Sequence, residues 1–174
     1  MNRLILGIDP GSLATGYGVV LASGNRLSCV ETGVIHLASD ATLPERLERL
    51  YEAMQDIIKR LQPTEAAVET VFQSVNVRSS LVLSHIRGVV LLAAVHGAMT
   101  VHEYTPIAIK KAVVGYGRAE KQQVRQMVRL ILGTEQPMAQ DASDALAVAI
   151  CHANSKPFYL ARDKAMGAYA CSIS

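Results

Sequence analysis

Leu4-Ile5-Leu6-Gly7-Ile8-Asp9-Pro10-Gly11-Ser12, followed by Thr15-Gly16-Tyr17-Gly18-Val19, opens the chain. The apolar run Leu4 to Ile8 reads as a buried strand, and Pro10-Gly11-Ser12 as the turn that ends it. Tyr17 to Leu21 reads as a second strand, and Gly16 and Gly18 around Tyr17 suggest that backbone passes close to something there. Gly24-Asn25 marks another turn, and Leu27 to Leu37 reads as a third strand. Together they predict an antiparallel meander at the front of a sheet. Asp9, at the end of a buried strand, has no packing role. It costs free energy unless it is paired or binds a cation.

Further along, Thr42 with Glu45 makes a capping-box pattern and Pro44 suits a first helical turn. Leu43, Leu47, Leu50, Met54, Ile57, Ile58 and Leu61 recur at helical spacing. Glu45–Arg49 and Asp56–Arg60 are expected as four-apart ion pairs on its wet side. Ala66 to Val71 reads as a short strand, apolar except for Glu69 and Thr70, hence central and parallel. A long, mostly buried helix is predicted over 79–97, and a fifth strand over Val101 to Tyr104. Thr105 caps and Pro106 starts a short helix to Val114; Glu120 to Leu132 is a second amphipathic helix, stopped by Gly133. The last helix is expected over Asp141 to Ala153. This order predicts an α/β domain with a mixed five-stranded sheet flanked by helices. Residues 1–154 form the domain in this reading, and 155–174 a loosely ordered tail.

Two further acids, Asp141 and Asp144, are three apart at the start of that last helix and project from one face. A capping arrangement explains them equally well when they are taken alone. Glu69 is harder to explain structurally, because a central strand buries it without an evident partner. Strands one and four are expected as neighbours, with the last helix packed across their ends. Asp9, Glu69, Asp141 and Asp144 then converge into a pocket of oxygen ligands suited to hard divalent cations. Two Mg²⁺ ions about 3.5–4 Å apart clamp a scissile phosphate, one activating water and the other stabilising the leaving 3′ oxygen. No histidine or serine nucleophile is suggested by spacing.

The 174 residues suit one domain, and the half that are apolar exclude global disorder. No signal peptide is visible, and the longest apolar stretch, Gly88 to Val95, is far short of the roughly 20 residues of a span. Cys29, Cys151 and Cys171 make no CxxC pair, which suits a reduced, cytoplasmic protein without a zinc site. Residues 70–130 carry net charge +6 and the remainder −4. A basic segment beside an acidic pocket suits a polyanionic substrate, although solvated helix faces give the same count.

The opening motif resembles that of the RuvC Holliday-junction resolvases, and further matches follow in order. They are Glu69-Thr70-Val71-Phe72, then Asn76, Ser79 and Arg87-Gly88, then Lys110 with Val113-Val114-Gly115. Ala119-Glu120-Lys121 and Asp141-Ala142-Ser143-Asp144-Ala145-Leu146-Ala147 complete the set, so the resemblance runs from residue 4 to about 154. It implies a ribonuclease H-like fold and a homodimeric, Mg²⁺-dependent endonuclease, with two ions per active site and Mn²⁺ as a substitute. It implies symmetric nicks across four-way junction DNA, 5′-phosphate ends, and a branch-migration complex of the RuvA–RuvB type as partner. Asp9, Glu69, Asp141 and Asp144 match the metal ligands. Lys110 and Lys121 match basic residues near the cut, and Phe72 an aromatic at the junction centre, where a wedge between bases has physical precedent. Asn76, Arg78, Arg87 and Arg125 are further candidate DNA contacts, Arg125 on the stripe Lys121, Arg125, Arg129.

Three other readings compete. One is a ribonuclease H-like nuclease for an RNA–DNA hybrid or flap. Another is an ATP-binding lobe of the actin and sugar-kinase type, for which the chain is too short to hold both lobes. The third is a catalytically silent junction binder, which gains nothing from four acids near phosphate.

Overall fold

The computed structural model describes residues 2–70, 77–135 and 137–170, with side chains as far as residue 155. Five strands form one sheet in the order β3-β2-β1-β4-β5. They are β1 (Asn2–Asp9), β2 (Ala14–Ser23), β3 (Arg26–His36), β4 (Glu65–Glu69) and β5 (Thr100–Tyr104). β1, β2 and β3 are the expected antiparallel meander. β4 lies between β1 and β5, parallel to both, as the apolar run Ala66-Ala67-Val68 requires.

Period-two alternation divides the side chains between two cores. Leu6, Ile8, Val19, Ala66 and Val68 face α1 (Leu43–Leu61) and α2 (Val77–His96). Ile5, Val20, Ala67 and Tyr104 face α3 (Pro106–Val114), α4 (Lys121–Leu132) and α5 (Gln140–Ala170). By the same alternation Asp9, four residues after Ile5, and Glu69, two after Ala67, fall on the α5 side. A one-residue slip of either strand would turn its acid into the opposite core.

Helix ends follow local chemistry. Thr105 Oγ1 accepts from the Ala108 N–H at 3.2 Å, Pro106 opens α3, and Gly115 closes it at φ 93°. The Glu45 carboxylate accepts from the Thr42 N–H at 2.7 Å at the start of α1.

Three expectations are corrected. The ion pairs Glu45–Arg49 and Asp56–Arg60 are not formed: Arg49 donates to the His36 carbonyl at 2.9 Å, and Arg60 grips both oxygens of Glu31 on β3. Both arginines therefore bind α1 to the sheet edge. α5 continues to Ala170, past Pro157 and the expected end at Ala153. α2 is not mostly buried. Only Ile86, Val90, Ala93 and Ala94 are, while Val77 is 72% and Val95 61% exposed. By length and composition alone α2 is able to cross a bilayer. Instead it is held on the domain, where Gln55 donates to the Ala93 carbonyl and Arg87 pairs with Glu103 of β5.

Candidate active site

Asp9 ends β1, Glu69 ends the neighbouring strand β4, and Asp144 lies in the second turn of α5. All three line one cleft of about 370 Å³, with Lys110 of α3 and Lys121 of α4 in its wall. The convergence requires α5 to lie directly on the sheet, and glycine allows it. A Cβ built on Gly7 falls 2.2 Å from the Ala145 carbonyl oxygen, and one on Gly16 only 2.0 Å from that of Asp141. The Gly16 and Gly18 signal in the sequence therefore marks the seat of the helix that carries two of the acids. The turn after Asp9 is held separately, by Arg46 Nη1 donating to the Ser12 carbonyl at 3.1 Å. Thr15, wholly buried, sits within 3.5 Å of the Gly11 amide.

Crowding shows in the proton affinities. Burial, then the charges of Glu69 and Asp144, raise Asp9 from 3.8 to about 8. Interaction with the neighbouring Glu69 carboxyl adds to the rise. Burial also raises Glu69, against the pull of its bond to Asp9 and the charges of Lys121 and Lys110. Burial raises Asp144, opposed chiefly by Lys121 and Arg125. Asp141 is not part of the cleft wall, yet its charge raises both Asp9 and Asp144.

Anions crowded in this way favour a cation, and the donors are all oxygen, which fits Mg²⁺ or Mn²⁺. Among the described residues no three Asp, Glu, His or Cys side chains converge on a common point.

The other candidates divide. Lys110, Lys121 and Arg125 surround the acids closely enough to act on them electrostatically. Arg87 does not join them: its guanidinium is bonded to Glu103. Arg78 opens α2. Phe72 and Asn76 fall in 71–76, outside the described residues.

The family model described as Crossover junction endodeoxyribonuclease RuvC matches residues 5–152. The chain belongs to the RuvC family. A crossover junction endodeoxyribonuclease RuvC from Syntrophotalea carbinolica is 51% identical over 150 residues, covering 86% of this chain and 93% of the relative. The protein of that name from Citrifermentans bemidjiense is 50% identical over 152 residues, covering 87% and 93%. Thermus thermophilus RuvC, solved in complex with a Holliday junction substrate, superposes with a TM-score of 0.83 at 31% identity, covering 88% and 94%. The ribonuclease H-like α/β fold of the RuvC family is therefore this chain's fold, and divalent-metal-dependent nuclease chemistry is the activity of its family.

Sequence reasoning missed Arg46 and Gly7. Arg46 is 34 residues from the carbonyl it binds, and no local spacing signals such a contact. Gly7 sits inside a run that already reads as a strand.

Proposed function

We propose that this chain resolves Holliday junctions by paired symmetric nicks in strands of like polarity, as a homodimer using two Mg²⁺ ions per active site and leaving 5′-phosphate ends. One observation carries the reading: Asp9, Glu69 and Asp144, from three separate elements, meet in one cleft walled by Lys110 and Lys121. Asp9, Glu69, Asp141 and Asp144 would hold the ions, which when bound activate water and stabilise the leaving oxygen. The chain's own part is to fix four carboxylates in place. Lys110, Lys121 and Arg125 draw the phosphates in by charge. Phe72, Asn76, Arg78 and Arg87 are assigned to contacts with the junction. Residues 1–154 make up the nuclease domain. The reading places the protein in the cytoplasm, beside a branch-migration complex of the RuvA–RuvB type.

A labelled mobile four-way junction, incubated with and without Mg²⁺, tests this directly. Expected are Mg²⁺-dependent nicks at symmetric positions with ligatable ends. Cleavage of an RNA–DNA hybrid duplex in preference to the junction would transfer the assignment to the other ribonuclease H-like reading.

The dimer rests on α2. Val77, Leu81, Leu92 and Val95, between 49% and 72% exposed, make an apolar stripe that a second copy would cover. Leu92→Glu places a charge on that stripe. It is expected to convert the dimer to monomer in sedimentation velocity and to uncouple the two nicks. A wild-type chain that sediments as a monomer at micromolar concentration would refute the assignment.

A further inference from the structure

Away from the cleft, a second polar cluster joins the same three elements that carry the acids. Arg3 of β1 donates from Nη1 to Glu65 Oε2 of β4 at 3.1 Å. His152 Nε2 of α5 lies 2.7 Å from the same oxygen, and Tyr104 Oη of β5 lies 2.7 Å from His152 Nδ1. Arg3 Nη2 also donates to the Ala153 carbonyl at 3.1 Å. His152 is wholly buried, and Glu65 and Tyr104 are each 5% exposed. The His102 ring stacks against His152, with centroids 4.5 Å apart.

The ion pair with Arg3 favours one protonation pattern. Glu65, paired with Arg3, is an ionised acceptor, so His152 Nε2 carries the proton and donates it. Nδ1 is then free to accept from the Tyr104 hydroxyl. Burial, the largest influence, holds His152 down at about 4, so the ring is neutral at working pH.

We propose that Arg3, Glu65, His152 and Tyr104 are positioning residues: they hold β1, β4 and α5 in register against the mutual repulsion of the four carboxylates. Arg3 shares its strand with Asp9, Glu65 with Glu69, and His152 its helix with Asp141 and Asp144. Tyr104 closes the circuit, since its carbonyl accepts from the Thr70 N–H at 2.8 Å, next to Glu69. At the catalytic end, like charges push α5 from the sheet. At the other end a charge-assisted chain of buried bonds pulls it back. A displacement of about 1 Å at reacting groups costs on the order of 10²-fold in rate, so this anchorage matters to catalysis without touching substrate.

The proposal rests on the nuclease reading, and its test separates the two. His152→Leu removes both bonds at similar size. Tyr104→Phe removes only the hydroxyl and keeps the packing. Each full-length variant is checked by circular dichroism, then titrated with MnCl₂ alone by calorimetry and assayed on a four-way junction. For His152→Leu, Mn²⁺ affinity is expected to fall about tenfold and kcat 10- to 100-fold with KM unchanged, in line with residues that orient metal ligands indirectly. For Tyr104→Phe the same losses are expected at about threefold to tenfold. His152→Gln, which again offers an acceptor and a donor on one carbon, should recover part of both. If His152→Leu does not fold, Tyr104→Phe decides. Folded variants with wild-type Mn²⁺ affinity and kcat would overturn the network alone. Wild-type protein that neither binds Mn²⁺ nor cuts would overturn the nuclease reading and the network with it.

Discussion

Asp9→Asn is expected to abolish cleavage and, in the absence of metal, to make the protein more heat-stable at alkaline pH. The first effect follows from the position of Asp9 between Glu69 and Asp144, whose charges both act on it. An amide there neither carries charge nor bridges cations, and metal stabilisation of a phosphoryl transition state is worth several kcal/mol. That corresponds to a loss of at least about 10³-fold in kcat. Junction binding, which depends on the basic wall, is expected to stay within about threefold when measured by gel shift in EDTA.

The second effect comes from proton linkage. Folding raises Asp9 from 3.8 to about 8, so between those values the folded chain holds a proton that the unfolded chain lacks. The stabilisation from that proton is complete below the unfolded value and is lost as pH rises through about 8. Burial and neighbouring charge move Glu69 and Asp144 in the same direction. Between pH 6 and pH 9 the metal-free wild type should lose about 2–3 kcal/mol, seen as a fall in Tm of about 5–10 °C. Asn at position 9 removes the largest of these titrations but leaves those of Glu69 and Asp144, so the variant's Tm should fall less than that of wild type over that range and exceed it at pH 9. A variant that melts below wild type at pH 9, or that keeps a tenth of the cleavage rate, would refute the assigned role of Asp9.

Most of what places the four acids was legible in the chain. Leu4 to Ile8 and Ala66 to Val68 are apolar with no polar face, which identifies central strands, and an acid ends each run. The short helix from Pro106 to Val114 was readable to the residue, because Thr105, Pro106 and Gly115 each act within one turn. What the chain hid was contact at a distance. Arg60 binds Glu31, 29 residues away, in place of the nearby Asp56, and His152 finds Glu65 across 87 residues. Spacing rules name local neighbours only. α2 misled for a different reason: its apolar residues are not confined to one face, and one chain covers only one side of it. The apolar signal was sound, but the surface that would bury it belongs to a second molecule in the dimer we propose.

Gly16→Ala tests the link between the glycine signal and the catalytic geometry. The added Cβ lies 2.0 Å from the Asp141 carbonyl oxygen and 2.4 Å from its carbon, both in the backbone of α5. No rotamer change relieves a clash with backbone, so the first turn of α5 has to lift by roughly 1.4 Å to reach an ordinary contact. Overpacking of this kind costs about 1–3 kcal/mol. The rate cost is larger. Asp141 moves with its carbonyl and Asp144 is one turn on, so a shift of about 1 Å at the carboxylates predicts on the order of 10²-fold lower kcat. Junction affinity, set by Lys110, Lys121 and Arg125, should change little. Gly24→Ala is the control, since Gly24 has φ +58° and nothing within 4 Å of the point where the new methyl would sit. It carries backbone strain of about 1 kcal/mol and leaves cleavage untouched. Single-turnover cleavage and thermal melts on both variants distinguish the outcomes. If Gly16→Ala cuts at the wild-type rate while Gly24→Ala does too, α5 is not seated through Gly16, and the close approach of helix to sheet is not what brings Asp141 and Asp144 to Asp9.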